Sequence, residues 1–261
     1  MIPLAKLSKS PLLAMNTMLA DDFRDIALTA RSAKGMTTGW VDVWIDRLDL
    51  PEIEVAELIQ FLTVAELAGC DRCRLPHVRQ HKIVARARLR QILSSYLDRS
   101  PLEIEISIGL QGKPQVAGLE FNLSHSGDLV VYAMSDRPVG IDIERVRSMD
   151  LAGIIQRFFA PTEFTAWQKL SATDQEAAFF RAWTVKEAYL KAIGTGLHTP
   201  LSEVEVSMDL EHPKILQAPG LENWQLHPIS NLPTDYTGTI IAAIGVNTLK
   251  EAYNGFSLER K

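Results

Sequence analysis

Residues 121–144 read FNLSHSGDLVVYAMSDRPVGIDIE. A Ser-His turn and a strand with carboxylates at alternate positions flank a short hairpin. In a strand, Asp142 and Glu144 lie on one face and Ile141 and Ile143 on the other, so the isoleucines are predicted to enter the core. Two carboxylates on one face repel each other unless a cation or a proton lies between them. The pair therefore reads either as half of a divalent-metal site or as the solvent-facing polar row of a half-buried strand.

Upstream, WVDVWI at 40–45 alternates as a strand, and 52–68 reads as a helix after Pro51. From Arg72 to Arg90 there are seven Arg or Lys and no acid. A helix is predicted over 78–97, with Ala85, Leu89, Ile92 and Tyr96 as its apolar stripe and Arg79, Lys82, Arg86 and Arg90 along one face. That face is either a solvated basic surface or a site for phosphate groups of a ligand or a nucleic acid backbone. PLEIEISI at 101–108 alternates as a strand, and Gly112-Lys113-Pro114 makes a turn. Downstream, helices are predicted near 151–159, from about 162, and over 174–193 ending at Gly194. Strand-like runs follow at 204–208, 224–228 and 237–246. Strands grouped with helices to one side give an α+β fold.

Composition narrows the function classes. With 27 Lys+Arg against 32 Asp+Glu the net charge is −5, which argues against a surface devoted to nucleic acid. No run approaches the ~20 apolar residues of a membrane span, and a cytoplasmic enzyme is expected. The two cysteines, Cys70 and Cys73, give no disulfide framework. With His77 and His81 they form C-x2-C-x3-H-x3-H, but zinc fingers need a longer connection between the two pairs. Residues 1–38 are expected to be a poorly ordered leader, and 249–261 a tail.

In the predicted helix over 174–193, Glu187 and Lys191 are four apart on one side. They are either a surface ion pair or a third carboxylate with a cation facing the same anion. His125 sits between two serines before Gly127, where hydroxyl, imidazole and backbone N–H groups can meet an anion. Three carboxylates suit a hard cation such as Mg2+ with positions left for phosphate oxygens. Lys113, His125, Lys191 and the basic helix supply positive charge. This inventory fits transfer or cleavage of a phosphate ester or pyrophosphate. There is no Walker P-loop, GxGxxG or GxSxG.

In order along the chain, FNLSHSG, GIDIE and FFRAWTVKEAYLKAIGTGL resemble the signature of the 4′-phosphopantetheinyl transferases, in their surfactin-type subgroup. The resemblance runs over about residues 40–246. It implies a monomer of two similar α+β halves, near 39–138 and 139–248, with Mg2+ and coenzyme A between them. It implies transfer of the phosphopantetheine arm of coenzyme A to a serine of an apo acyl or peptidyl carrier protein, releasing adenosine 3′,5′-bisphosphate. Such carriers serve fatty acid, polyketide or nonribosomal peptide synthesis. Carried over by position, Asp142, Glu144 and Glu187 are the metal ligands, and Glu187 also helps deprotonate the carrier serine. Lys191 neutralises the pyrophosphate. Ser124 and His125 contact the coenzyme A phosphates, Lys113 lies in the turn near the nucleotide, and Arg79, Lys82 and Arg86 meet its 3′-phosphate. Lys186 belongs to the motif without an assigned role.

Two other classes remain open on the residues alone. One is a nucleic-acid-binding module that uses the basic helix. The other is a Mg2+-dependent pyrophosphatase that cleaves coenzyme A without a carrier.

Overall fold

The computed structural model describes residues 38–109 and 111–253. Except for residue 38, the expected leader lies outside the described residues, as does the expected tail beyond 253. Strand β1 (Trp40–Arg47) is buried on both faces because it runs inside a sheet. Val41, Val43 and Ile45 pack to one side and Trp40 and Trp44 to the other.

The single helix expected over 52–68 is two helices, α1 (Glu52–Leu58) and α2 (Val64–Asp71), with a 3-10 turn at Ile59–Phe61 between them. Thr63 causes the break. Its hydroxyl accepts from Glu66 N at 3.3 Å while Glu66 Oε2 accepts from Thr63 N at 3.0 Å, a capping box that starts a new helix. The basic helix α3 spans Pro76–Leu97 with proline in its first turn.

The strand expected over 101–108 is mostly absent. Pro101–Glu103 forms a 3-10 turn, and only β2 (Ser107–Ile108) pairs, with β3 (Pro114–Gln115). Glu103 reaches back to Ser100 N, and Arg90 Nη1 donates to Pro101 O at 2.6 Å and Ile104 O at 3.0 Å. Those two carbonyls are engaged by a side chain instead of a neighbouring strand.

Next come β4 (Glu120–Ser126), β5 (Leu129–Ser135) and β6 (Val139–Arg145). Ser124 and His125 thus lie in a strand, contrary to the expected turn. The reversal falls at Gly127, where φ is +54°. Helices α4 (Ala152–Phe158), α5 (Pro161–Trp167) and α6 (Ala172–Ile193) follow, the last capped by Gly194 at φ +74°. The chain continues as β7 (Glu205–Val206), β8 (Ile215–Gln217), β9 (Trp224–Pro228), β10 (Tyr236–Ala243) and β11 (Thr248–Tyr253). The expected tail therefore begins with a strand, held because β11 pairs in parallel with β1.

Two larger sheets result, one ordered β11-β1-β5-β4 and the other β6-β10-β9. They pack face to face through Val41, Val43, Val131 and Ala133 on one side and Val139, Ile141, Ile143 and Ile240 on the other. Helix α3 covers the outer face of the first sheet against Trp44, Tyr132 and Met134. Helix α6 covers the outer face of the second, against Ile241. The order of layers is therefore helix, sheet, sheet, helix, an α+β arrangement. Among the described residues no helix is long and apolar enough to cross a membrane.

Candidate active site

The site forms where β4, an edge of the first sheet, meets β6, an edge of the second. Alternation along β4 places Asn122, Ser124 and Ser126 on the face toward β6. Each bonds to it. Asn122 Oδ1 accepts from Ile141 N at 3.0 Å, Ser124 Oγ donates to Asp142 Oδ1 at 2.6 Å, and Ser126 Oγ donates to Glu144 Oε2 at 2.7 Å. Ser126 was not singled out from sequence, although its two-residue spacing from Ser124 was the available signal.

Gly140 brings the third element in. A Cβ there would stand 2.1 Å from Ala188 O and 2.4 Å from Ala192 N, so β6 lies directly on the backbone of α6. That contact lets Lys191 Nζ reach Asp142 Oδ1 at 2.6 Å and Ile141 O at 3.2 Å. Lys191 thus pairs with a strand carboxylate and not with Glu187, its helical neighbour. Asp142 is 4% exposed, and its Oδ2 has no hydrogen-bond partner among the described residues.

Glu144 and Glu187 share this electrostatic neighbourhood. Loss of water, then repulsion from Asp142, holds the Glu187 carboxyl above the usual range, with Lys191 opposing the shift. Burial likewise raises Glu144, against the hydrogen bond from Ser126. The three carboxylates do not form a ready-made cage, because among the described residues no three acidic, His or Cys side chains converge as a metal-binding group. Mg2+ nonetheless takes one or two carboxylates and completes its shell with water and phosphate oxygens. An all-oxygen donor set with a buried, unpartnered Asp142 Oδ2 fits that requirement.

The alternate residues of β4, Leu123 and His125, face the other way, into a cavity of about 530 Å3 beneath α3. Its walls carry Lys82, Arg86, His81, His125 and Glu66, with apolar surface from Val78, Ala85 and Leu89. Ser124 and His125, consecutive in sequence, therefore serve opposite faces of one strand. His125 stands at the rim, with part of its surface open to solvent and the rest lining the cavity. Desolvation of its ring, and then the Lys191 ammonium, push its imidazole below the ordinary value, so the cavity and the carboxylate seam feel each other's charge.

Not every predicted cation reaches this cavity. Lys82 Nζ donates to Gly69 O at 2.9 Å, and Arg86 Nε lies 3.6 Å from Glu66 Oε1, both on the lining. Arg79 instead pairs with Asp71 at 2.8 Å outside the lining. Arg90, expected on the basic face, is buried against Glu66 at 2.7 Å. Lys113 Nζ donates to Val139 O at 3.2 Å and Lys191 O at 3.1 Å, tying the hairpin that carries it to β6 and α6. Lys186 is wholly buried and pairs with Glu163. Glu66 was missed from sequence, where its only trace was the Thr63-x-x-Glu66 capping pattern.

A family model described as the 4′-phosphopantetheinyl transferase superfamily matches residues 138–241. Over 200 residues the chain is 37% identical to the 4′-phosphopantetheinyl transferase HetI of Nostoc sp. strain PCC 7120, covering 73% of this chain and 84% of the relative. It is 33% identical over 172 residues to the 4′-phosphopantetheinyl transferase psf-1 of Bacillus pumilus, covering 65% of this chain and 73% of that one. Among solved structures, a holo-(acyl-carrier-protein) synthase from Bacillus anthracis str. Ames, in complex with CoA (3′,5′-ADP), is similar with a TM-score of 0.34. The match has 20% identity and covers 41% of this chain and 94% of the other.

Proposed function

This chain belongs to the 4′-phosphopantetheinyl transferases, in their surfactin-type subgroup, and from that premise we propose that it moves the phosphopantetheine arm of coenzyme A onto a serine of an apo acyl or peptidyl carrier protein in a Mg2+-dependent reaction. The serine oxygen bonds to the β-phosphorus of coenzyme A, the bond from that phosphorus to the bridging oxygen breaks, and adenosine 3′,5′-bisphosphate leaves. The observation that carries this reading is Asp142. Its Oδ1 is held by Ser124 and Lys191, its buried Oδ2 has no donor among the described residues, and two further carboxylates nearby are raised in pKa. A hard cation bound to phosphate oxygens relieves that charge set.

Asp142, Glu144 and Glu187 are the residues to hold Mg2+, which supplies charge neutralisation and orientation of the pyrophosphate. Glu187 takes the proton of the carrier serine, directly or through a water. Lys191, held by Asp142, offsets charge on the departing oxygen. Lys82, Arg86 and His125 receive the nucleotide phosphates. Arg79 and Lys113 are assigned supporting roles, since each is committed to other partners. We also read the two sheets with their helices as the two halves, 39–138 and 139–248, with β11 crossing back to edge the first sheet. One chain then supplies both sides of the seam and acts as a monomer in the cytoplasm.

The nucleic-acid reading is weakened by the basic helix itself. Arg88 and Arg90 are buried against Asp46 and Glu66, and Arg79 pairs with Asp71. Incubation with Mg2+, coenzyme A and an apo carrier protein tests the proposal. The carrier gains the mass of one phosphopantetheine. Hydrolysis of coenzyme A with every carrier left unmodified would instead support the pyrophosphatase reading.

A further inference from the structure

His81 is not used by the reaction described above. It lies on α3 one residue before Lys82, and both line the cavity with Arg86 and His125. Its Nε2 is 3.9 Å from Asp128 Oδ1, in the turn between β4 and β5. That carboxylate is the only acid within ion-pair distance of His81 among the described residues.

The other charged and titratable groups around His81 are few. On its own helix, the His77 ring stands 6.1 Å away and nearly perpendicular, and Lys82 is adjacent in sequence. From β4, His125 interacts with it electrostatically. From α2, Glu66 and Cys70 form the opposite wall. Asp128 is itself 3.7 Å from Arg145. The fixed cations of the cavity are partly committed, Lys82 to Gly69 O and Arg86 to Glu66. Imidazole changes charge between about pH 5 and 8, which Lys and Arg do not.

We propose that His81 contacts a phosphate of the nucleotide in this cavity and that Asp128 positions its imidazole, so that nucleotide affinity is linked to protonation of His81. The proposal rests on the coenzyme A reading above. No bond is made or broken: a proton taken up by His81 adds a positive charge beside the phosphate and strengthens its hydrogen bond.

Calorimetric titration of the full chain with adenosine 3′,5′-bisphosphate, between about pH 6 and pH 8, tests it. Wild type binds about tenfold more tightly at the lower pH, against an opposing slope from the ligand's own phosphates, which lose charge as they take up protons. His81→Gln weakens binding at low pH and keeps only the slope due to the ligand. His81→Lys restores tight binding with that same shallow slope, and Asp128→Asn lowers affinity at low pH. A His81→Gln variant with the wild-type pH slope would overturn the proposal and leave the transferase reading standing. If wild type, His81→Gln and His81→Lys all failed to bind the nucleotide at any pH, both would fall.

Discussion

Lys186 Nζ lies 2.7 Å from Glu163 Oε2, and both side chains are essentially out of solvent. The same ammonium donates to Leu201 O at 3.1 Å and to Val204 O, and stands 4.6 Å from the centre of the Phe159 ring. Lys191, five residues further along α6, reaches Asp142 at the seam between the sheets. Two lysines of one motif thus serve the core and the site separately.

Lys186→Met is expected to leave the Glu163 charge buried without its partner and to cost about 3–5 kcal/mol. Urea denaturation measures this loss. Lys186→Met with Glu163→Leu recovers only part of it, because it removes the unpaired charge but leaves Ala160 N and Val206 N, which donate to Glu163, without that acceptor. Turnover per folded molecule changes little in the double variant. A single variant as stable as wild type would show that the pair does not hold the fold.

Lys191→Met should behave in the opposite way. Its side chain is 27% exposed, so stability falls by less than for Lys186. The maximal rate falls about 10²–10³-fold, the scale of removing one preorganised charge from a reacting centre. Steady-state kinetics alongside thermal melts separate the two effects. Near-normal turnover would remove Lys191 from the reaction.

Glu144 and Glu187 predict a link between pH, metal and stability. Both hold protons more tightly when folded than at the ordinary value of 4.5. Their stabilising contribution is therefore fully present below that value and is lost as pH rises through the raised folded values. In metal-free protein, Glu187→Gln raises Tm at about pH 7 by about 2 °C, the scale of a sub-kcal/mol change in a chain of this size. The gain shrinks toward about pH 4. Mg2+ stabilises wild type more than the variant. Scanning calorimetry with and without Mg2+ reads all three, and a destabilised Glu187→Gln at neutral pH would refute the assignment.

Lys82→Ala and Arg86→Ala are each expected to raise the KM for coenzyme A about tenfold, the scale of one charge-assisted hydrogen bond. Arg90→Ala, in contrast, removes the partner of Glu66 and the donor to Pro101 and Ile104, so it lowers stability. Kinetics at varied coenzyme A, read beside urea midpoints, distinguish binding loss from fold loss.

Gly140→Ala would drive a methyl group into the α6 backbone at 2.1–2.4 Å. A loss of about 1–3 kcal/mol is expected from overpacking. Activity falls as well, since separating β6 from α6 moves Asp142 away from Lys191. An unchanged melting temperature would show that the helix can shift without cost.

Several features were legible along the chain because they depend on local periodicity. The alternation in GIDIE places Ile141 and Ile143 in the core and Asp142 and Glu144 opposite. Gly194 ends α6, and the stripe of α3 faces the first sheet. The errors arose where local preference met a competing partner. The apolar run at 52–68 is divided by the Thr63 capping box, and the alternation at 101–108 yields to Arg90, which takes the carbonyls a strand would need.

The sequence by itself determined the α+β class, the motif carboxylates and the supply of cations, since periodicity and residue type are properties of neighbouring positions. Only the tertiary structure decided which cation meets which anion. Arg79, Arg86 and Arg90 share one helix face, yet one pairs at the surface, one lines the cavity and one is buried. Lys186 and Lys191 share one helix and part company in the same way. Pairing of charges depends on distances of a few ångströms between elements far apart in sequence, and those distances are set by packing, here by the close seat of β6 on α6 at Gly140.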